Sequence, residues 1–527
     1  MACKQQKARI YAYATFNLAA LLSIAQSIRK KSCLCDESQR PKSGSLNWVI
    51  FLTFEDDGVE WVFRSPRKAY GLQKNVASQV LASEVATLNY LQKTGSIPVP
   101  QVFSYCATDE NPTGIPYILM SKAPGLPLST YGWSNHHKIH SSHVRGDSER
   151  TLTSFQKRKV MEQLGGLQAS MSNLRFDHVG SLFAENEVYT IGKCLLPCLI
   201  LQGRDEFNED EIPRGPFKTS GEFYTALIRA FFAHVKELPM EHHLFHGPVP
   251  IPQEYDNYED YRIATDRWND YVAVGSKTES TKNRLDYALV GISMTDWVPS
   301  LAENDNQFNC AGFPLYHPDL STQNVFVDDD FNITCIIDWA FASCVPPSML
   351  LICPGLPHPR DSIQPFLRES FAKGFVAGHG FNDQNGLDFS RSSIYWAFLR
   401  LVNLDSLQDY VYFSKLVQLF SNQDVFSHIN QLKTREEFKK ISSFLGKAEE
   451  GPGESAKDES QYFSCVGPER LALSRHLTMI TEMKPAFVAD TRLWKCITAY
   501  LNERDSFMFV RDQERTPSRK RKLDCFA

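Results

Sequence analysis

The chain has 527 residues, of which 43% are hydrophobic, 22% charged and 12% aromatic. That is globular composition, long enough for several domains or one large two-lobed enzyme. A formal net charge of −5 excludes the bulk basic field that drives nucleic-acid binding. Thirteen cysteines without a CxxC pair argue against a structural zinc site and a secreted disulfide framework, and for a reducing compartment.

The chain opens on a basic stretch with no acidic residue from Met1 to Cys35. Tyr11 to Ile28 is too polar for a membrane span. It also lacks the clean apolar core and small-residue cleavage site of a secretory signal. Leu18, Leu21, Leu22 and Ala25 fall at helical spacing, which predicts a first helix within an N-terminal segment, residues 1–40. That reading is preferred to a mitochondrial presequence.

Trp48 to Phe54 and Val59 to Phe63 are rich in β-branched and aromatic residues and flank Glu55-Asp56-Asp57-Gly58, a hairpin pattern. Ser83 to Leu91 has helical periodicity and ends before Gly95 and Pro98. Val102 to Tyr105 and Tyr117 to Met120 read as further strands. Residues 41–121 are thus expected to form a small antiparallel sheet lobe with one main helix. Lys122 to Gly125 makes a hinge, and 122–510 is predicted to be mostly helical. Leu152 to Leu174, Glu222 to Leu238, Ser392 to Leu419 and Ala472 to Met483 carry the helical spacing. Gly446 to Gln461 has no large apolar residue and reads as a surface loop or linker. Residues 511–527 read as a basic disordered tail. Its Arg519-Lys520-Arg521-Lys522 run is similar to a nuclear import signal, set against a cytoplasmic location.

The segment Leu315 to Trp339, LYHPDLSTQNVFVDDDFNITCIIDW, carries the chemistry. Val325 to Val327 and Thr334 to Ile337 are short strands joined by an Asp-rich turn. Folded as a hairpin, they bring Asp319, Asn324 and Asp338 to one end. Magnesium takes hard oxygen ligands, few of them from protein. Phosphoryl transfer needs such a clamp and an acid group to orient the incoming hydroxyl.

His317-Pro318-Asp319 through Asn324, with Ile336-Ile337-Asp338-Trp339, resembles the HxDxxxxN and downstream Asp motifs of the aminoglycoside phosphotransferase and choline kinase-like family. The resemblance implies an α+β, two-lobed, protein-kinase-like fold with a nucleotide-binding N-terminal lobe. It makes Asp319 the catalytic base, His317 its loop-organising neighbour, and Asn324 and Asp338 the Mg2+ ligands. Gly44 and Ser45 would belong to a short nucleotide loop. Arg64 would contact phosphates with Glu84 as its ion-pair partner, and Met120 and Lys122 would lie at the adenine hinge. Arg64-Ser65-Pro66 is similar to a fungal branch of the family. Pro318 and Ala340 depart from the usual pattern.

The implied activity is Mg-nucleotide-dependent transfer, from ATP or GTP, to a hydroxyl of a small molecule. No nucleic-acid or membrane partner is implied, and the oligomeric state stays open. The alternative is a pseudokinase that binds nucleotide or scaffolds without turnover. The acidic run Asp205, Glu206, Glu209, Asp210, Glu211 suits either a cationic acceptor or a solvated loop. Two histidine groups, one from His136 to His143 and one from His242 to His246, read as solvated loops rather than metal ligands.

Overall fold

A computed structural model describes residues 9–500 apart from 68–70, 134–150, 241–242, 246, 248, 252–253, 306–310, 380–388, 405–408, 448–452, 485–486, 489 and 491. The basic tail and all members of the two histidine groups except His243 lie outside the described residues. His243 is buried, so the solvated-loop reading is corrected there.

The first part of the chain builds one antiparallel sheet. Helix α1 (Leu18–Arg29) starts at Asn17, whose side chain accepts the Ala20 N–H, the usual N-cap arrangement. Strands β1 (Cys33–Leu34), β2 (Lys42–Ser43), β3 (Asn47–Phe54) and β4 (Glu60–Pro66) follow. Helix α2 (Lys74–Thr94) comes next, stopped by Gly95 in the left-handed conformation. Strands β5 (Val102–Cys106) and β6 (Tyr117–Ser121) complete the sheet, in the order β1-β3-β4-β6-β5 with β2 on β3. Period-two alternation in β3 puts Trp48, Ile50, Leu52 and Phe54 on one fully buried face. There they pack with Ile10, Leu21 and Ala25, so α1 is part of this lobe's core. Each such side chain stabilises by about 1.5–3 kcal/mol. The opposite face carries Val62, Ile118 and Met120 against α2.

Strand β7 (Leu126–Pro127) leads into the second part of the chain, pairing with a hairpin far downstream. Gly125, at φ +83°, has no room for a side chain, because a Cβ there would collide with the Val327 carbonyl. Helix α3 (Ser154–Ser172) follows, opened by a Thr153/Gln156 capping box. Next come β8 (Arg175–Phe176), β9 (Leu182–Glu185), β10 (Val188–Ile191), α4 (Pro197–Ile200), α5 (Ser220–Glu237), α6 (Tyr258–Ala273) and α7 (Thr281–Asp305). The motif region supplies β11 (Phe313–Tyr316), β12 (Val325–Val327), β13 (Ile333–Ile336) and β14 (Ser343–Cys344). The remainder is helical: α8 (Pro365–His379), α9 (Ser392–Asn403), α10 (Asp409–Ser421), α11 (Val425–Lys433), α12 (Glu436–Lys447), α13 (Gly453–Val466) and α14 (Pro468–Met483). The fold is α+β, a sheet lobe followed by a mainly helical one. Val80, Leu88 and Leu91 of α2 join the helical lobe's large core.

Two expectations are corrected. The helical pattern from Ser392 to Leu419 is interrupted after Asn403, where Leu404 turns left-handed at φ 54°. The polar stretch from Gly446 to Gln461 is not one loop: α12 runs to Lys447, and α13 begins at Gly453. Helix α13 is anchored by Phe463, 6% exposed, just beyond that stretch. Glu459 adds a tie by accepting the Gly275 N–H at 3.0 Å.

Candidate active site

Strand β12 pairs with β7 on one side and β13 on the other. Its turn is closed by Asp328, whose Oδ1 accepts the N–H groups of Asp330 and Asn332 at 3.0 and 2.8 Å. Helix α3 grips the same turn. Gln163 donates to the Phe331 carbonyl at 2.8 Å and accepts the Ile333 N–H at 2.9 Å. The loop before the hairpin is thus held by a fixed frame.

Within that loop His317 is buried, edge-on to Trp339 with ring centroids 4.6 Å apart. Its Nδ1 accepts the Asp319 N–H at 3.1 Å, and its Nε2 lies 3.1 Å from the Ile337 carbonyl oxygen. A backbone donor on one nitrogen and a carbonyl on the other assign the neutral ring with its proton on Nε2. Burial pushes its pKa down, in agreement. His317 therefore staples the Ile337 backbone, next to Asp338, to the backbone of Asp319 itself. It is not poised to exchange protons.

Asn324 Nδ2 donates to the Asp319 carbonyl and to Asp319 Oδ2, both at 3.0 Å. The Asn324 carbonyl accepts the Ile337 N–H at 3.0 Å. One atom is left over: Asp319 Oδ1 is buried and has no hydrogen-bond donor among the described residues. Such an oxygen costs roughly 1–3 kcal/mol.

The second cluster joins the two lobes. Arg64 on β4 lies opposite Val49 and Ile118 in the sheet and is buried. Its guanidinium donates to Glu84 of α2 and, at 2.9 Å, to Asp338 Oδ1. Burial works against the Arg64 charge, but the two carboxylates outweigh it and hold the group cationic. Burial pushes the Glu84 carboxyl up, against the pull of Arg64. Asp338 stands at φ +62°, a strained conformation for a residue with a side chain, of the kind that collects at functional sites. Its side chain is 31% exposed, against 3% for Glu84. Asp338 is therefore the accessible end of the triad. A hollow of about 450 Å³ adjoins Arg64, Glu84, Ala340 and Phe341.

The other sequence-derived residues sit on the sheet outside these two clusters. Gly44 and exposed Ser45 form the turn between β2 and β3. The Gly44 N–H donates to the Asn47 carbonyl at 2.9 Å, and Arg67 donates to the Gly44 carbonyl at 3.0 Å. Met120 is buried opposite Val62. Lys122 pairs with Glu60 and lies 5.4 Å over the Phe51 ring.

Beside the Asp319 loop is a cavity of about 1180 Å³, bounded by α3, residues 352–368, α9 and α10. Its wall touches the loop directly: the Pro357 carbonyl accepts both the N–H and the hydroxyl of Thr322, at 3.0 and 3.2 Å. Sequence reasoning missed this cavity, whose residues are spread over hundreds of positions. The acidic run does not line it. Asp205 instead accepts the Gln73 N–H at 2.6 Å at the start of α2, and Glu209 pairs with Lys193 and Arg214 at 3.0 and 3.5 Å.

Residues 37–180 match the phosphotransferase enzyme family. The matched part holds the sheet lobe from β2 onward, with Arg64 and Glu84, while the Asp319 loop lies beyond it. Among curated proteins, a subtelomeric hrmA-associated cluster protein of Aspergillus fumigatus is 30% identical over 154 residues, which cover 29% of this chain. The matched stretch is only 26% of that relative's length. Altered inheritance of mitochondria protein 9 of Candida glabrata is 30% identical over 118 residues, 22% of this chain and 18% of that protein. A macrolide 2'-phosphotransferase type I structure is 12% identical, covering 81% of this chain and 96% of that one, with a TM-score of 0.31. A Plasmodium vivax ethanolamine kinase structure is 9% identical, covering 78% and 81%, with a TM-score of 0.32.

Proposed function

We propose that this phosphotransferase-family chain transfers a phosphoryl group from a Mg-nucleotide to a hydroxyl of a small molecule. The observation that carries the reading is the buried, donorless Asp319 Oδ1, held beside Asn324 and one strand away from Asp338. That oxygen suits an incoming hydroxyl, whose proton it would accept or orient. Arg64 would hold phosphate oxygens through its planar fork. The exposed side of Asp338 and the Asn324 side-chain oxygen fit a magnesium ion, which takes few protein oxygens and fills its shell with phosphate and water. When bound, the ion would neutralise phosphate charge. Val49, Phe51 and Met120 offer an apolar sheet face for a base.

The test is thermal. Mg-ATP or Mg-GTP at about a hundredfold excess over its dissociation constant should stabilise the fold by roughly 2.7 kcal/mol. A melting temperature unmoved by millimolar nucleotide of either kind, with or without magnesium, would sink the reading. Nucleotide binding without turnover on any acceptor would favour the pseudokinase, a reading that Ala340 keeps in play.

A further inference from the structure

The cavity beside the Asp319 loop is charged, and its sign is readable. Lys157, Arg360, Arg368, Arg400 and Lys415 line it, against two carboxylates, Glu254 and Asp361. Asp361 is already engaged, accepting the His358 N–H at 2.9 Å. Lys157, Arg360, Arg368 and Lys415 have no carboxylate within ion-pair distance among the described residues. Arg360 Nε lies 3.3 Å from His358 Nδ1, and Arg368 donates to the Ile363 carbonyl at 3.5 Å. Some cations elsewhere stand in ion pairs, as Arg284 with Glu279 at 2.7 Å and Arg470 with Asp270 at 2.6 Å. Like charges gathered in a concave wall repel one another and focus field into the cavity.

The wall also meets the catalytic loop. Burial and the neighbouring Arg360 push the His358 pKa down, while the Asp319 carboxylate pulls the other way, so His358 stands within electrostatic reach of Asp319. The wall therefore adjoins the loop that carries the donorless oxygen, through the Thr322–Pro357 hydrogen bonds. Trp396 and Tyr412, packed edge to face at 5.1 Å, give the same cavity an apolar side.

We propose that this cavity takes a small hydroxyl-bearing anion, a carboxylate or a phosphate ester, as the phosphoryl acceptor. The proposal rests on the phosphotransferase reading above. The acceptor hydroxyl oxygen bonds to the terminal phosphorus as the bond to the bridging oxygen breaks. The nucleoside diphosphate leaves with that electron pair, and the hydroxyl proton passes to Asp319. An anionic acceptor must approach an anionic nucleotide, and the cationic wall removes that repulsion. A cationic acceptor would meet a wall of its own sign.

The experiment uses the full chain with Mg-ATP and Mg-GTP and follows nucleoside diphosphate release. Gluconate and glycerol 3-phosphate are compared with ethanolamine and glucosamine, and the wild type with a doubly substituted R360Q/R368Q protein. The expected result is turnover with the anions only, falling as salt rises. In the double variant KM for the anion should rise roughly tenfold or more, with kcat and the nucleotide-induced melting shift retained. Three results overturn the proposal while leaving nucleotide binding intact: turnover confined to the cations, no turnover with either group, or a double variant whose KM matches wild type. If no nucleotide shifts the melting curve, the phosphotransferase reading fails instead. A melting shift with glycerol 3-phosphate alone then decides the cavity. A salt-sensitive shift lost in R360Q/R368Q keeps the anion site, and no shift removes it.

Discussion

The Asp319 loop and the cavity wall beside it are built on opposite principles. In the loop nearly every polar group is answered: His317 uses both ring nitrogens, and Asn324 uses both its amide group and its carbonyl. Among the described residues of the loop, one buried side-chain oxygen, Asp319 Oδ1, is left without a donor. In the wall, four of the five cations have no carboxylate within ion-pair distance among the described residues. A saturated network fixes one geometry and singles out one atom for chemistry. An unsaturated charge cluster fixes only a sign, and so selects a class of ligand rather than a single pose. Precision and selectivity are thus carried by different regions a few residues apart in space.

The sharpest way to break this comparison is Asp319→Asn. The substitution keeps the shape and the link to Asn324 but removes the proton-accepting charge. Turnover should fall by roughly 10²–10⁴, the usual worth of a general base, with Mg-nucleotide affinity little changed. Wild-type turnover in the folded variant, checked by circular dichroism, would mean that the leftover oxygen has no catalytic use.

Next in size is Glu84→Ala, which leaves buried Arg64 with Asp338 as its one remaining partner in that pair of ion bridges. Breaking a buried pair by removing one member costs about 3–5 kcal/mol. Urea denaturation should therefore shift strongly for Glu84→Ala. Substitution of an exposed wall cation such as Arg368→Gln should stay within about 0.5 kcal/mol. Equal, small losses in both would erase the distinction between a saturated lobe junction and an unsaturated wall.

What the sequence revealed follows the same division. Strands β3 and β4 were legible because Trp48 to Phe54 and Val59 to Phe63 are rich in β-branched and aromatic residues on either side of an acidic, glycine-containing turn. The loop was legible because its residues are contiguous and their spacing is fixed by one hairpin. The wall was not, because Lys157, Arg360, Arg400 and Lys415 come from separate elements and only packing assembles them. One such contact is that of α3 with α8, where a Cβ on Gly374 would overlap the Glu162 carbonyl. The break at Leu404 was also silent, since no glycine or proline marks it. Helix α13 was hidden because its anchor, Phe463, lies beyond the polar stretch.

The smallest effect separates the two regions by what they respond to. Burial holds the His317 pKa below its ordinary value, so between the folded and unfolded values the unfolded chain binds the extra proton. Stability is then full above about pH 6.5 and declines as pH falls, by at most about 1.4 kcal/mol per pH unit for this one ring. Other buried histidines act in the same direction, His234 with its pKa pushed down to about 3 by burial and Arg204. The measurement is therefore a difference. His317→Asn should be less stable than wild type at pH 7.5, and that gap should narrow toward pH 5.5. Added salt should leave the gap unchanged, because the staple is made of hydrogen bonds between neutral groups. The wall should behave in reverse, with acceptor binding sensitive to salt. A gap that is flat with pH, or that closes with salt, would mean that His317 carries charge in the folded protein and that the loop is held by ion pairing instead.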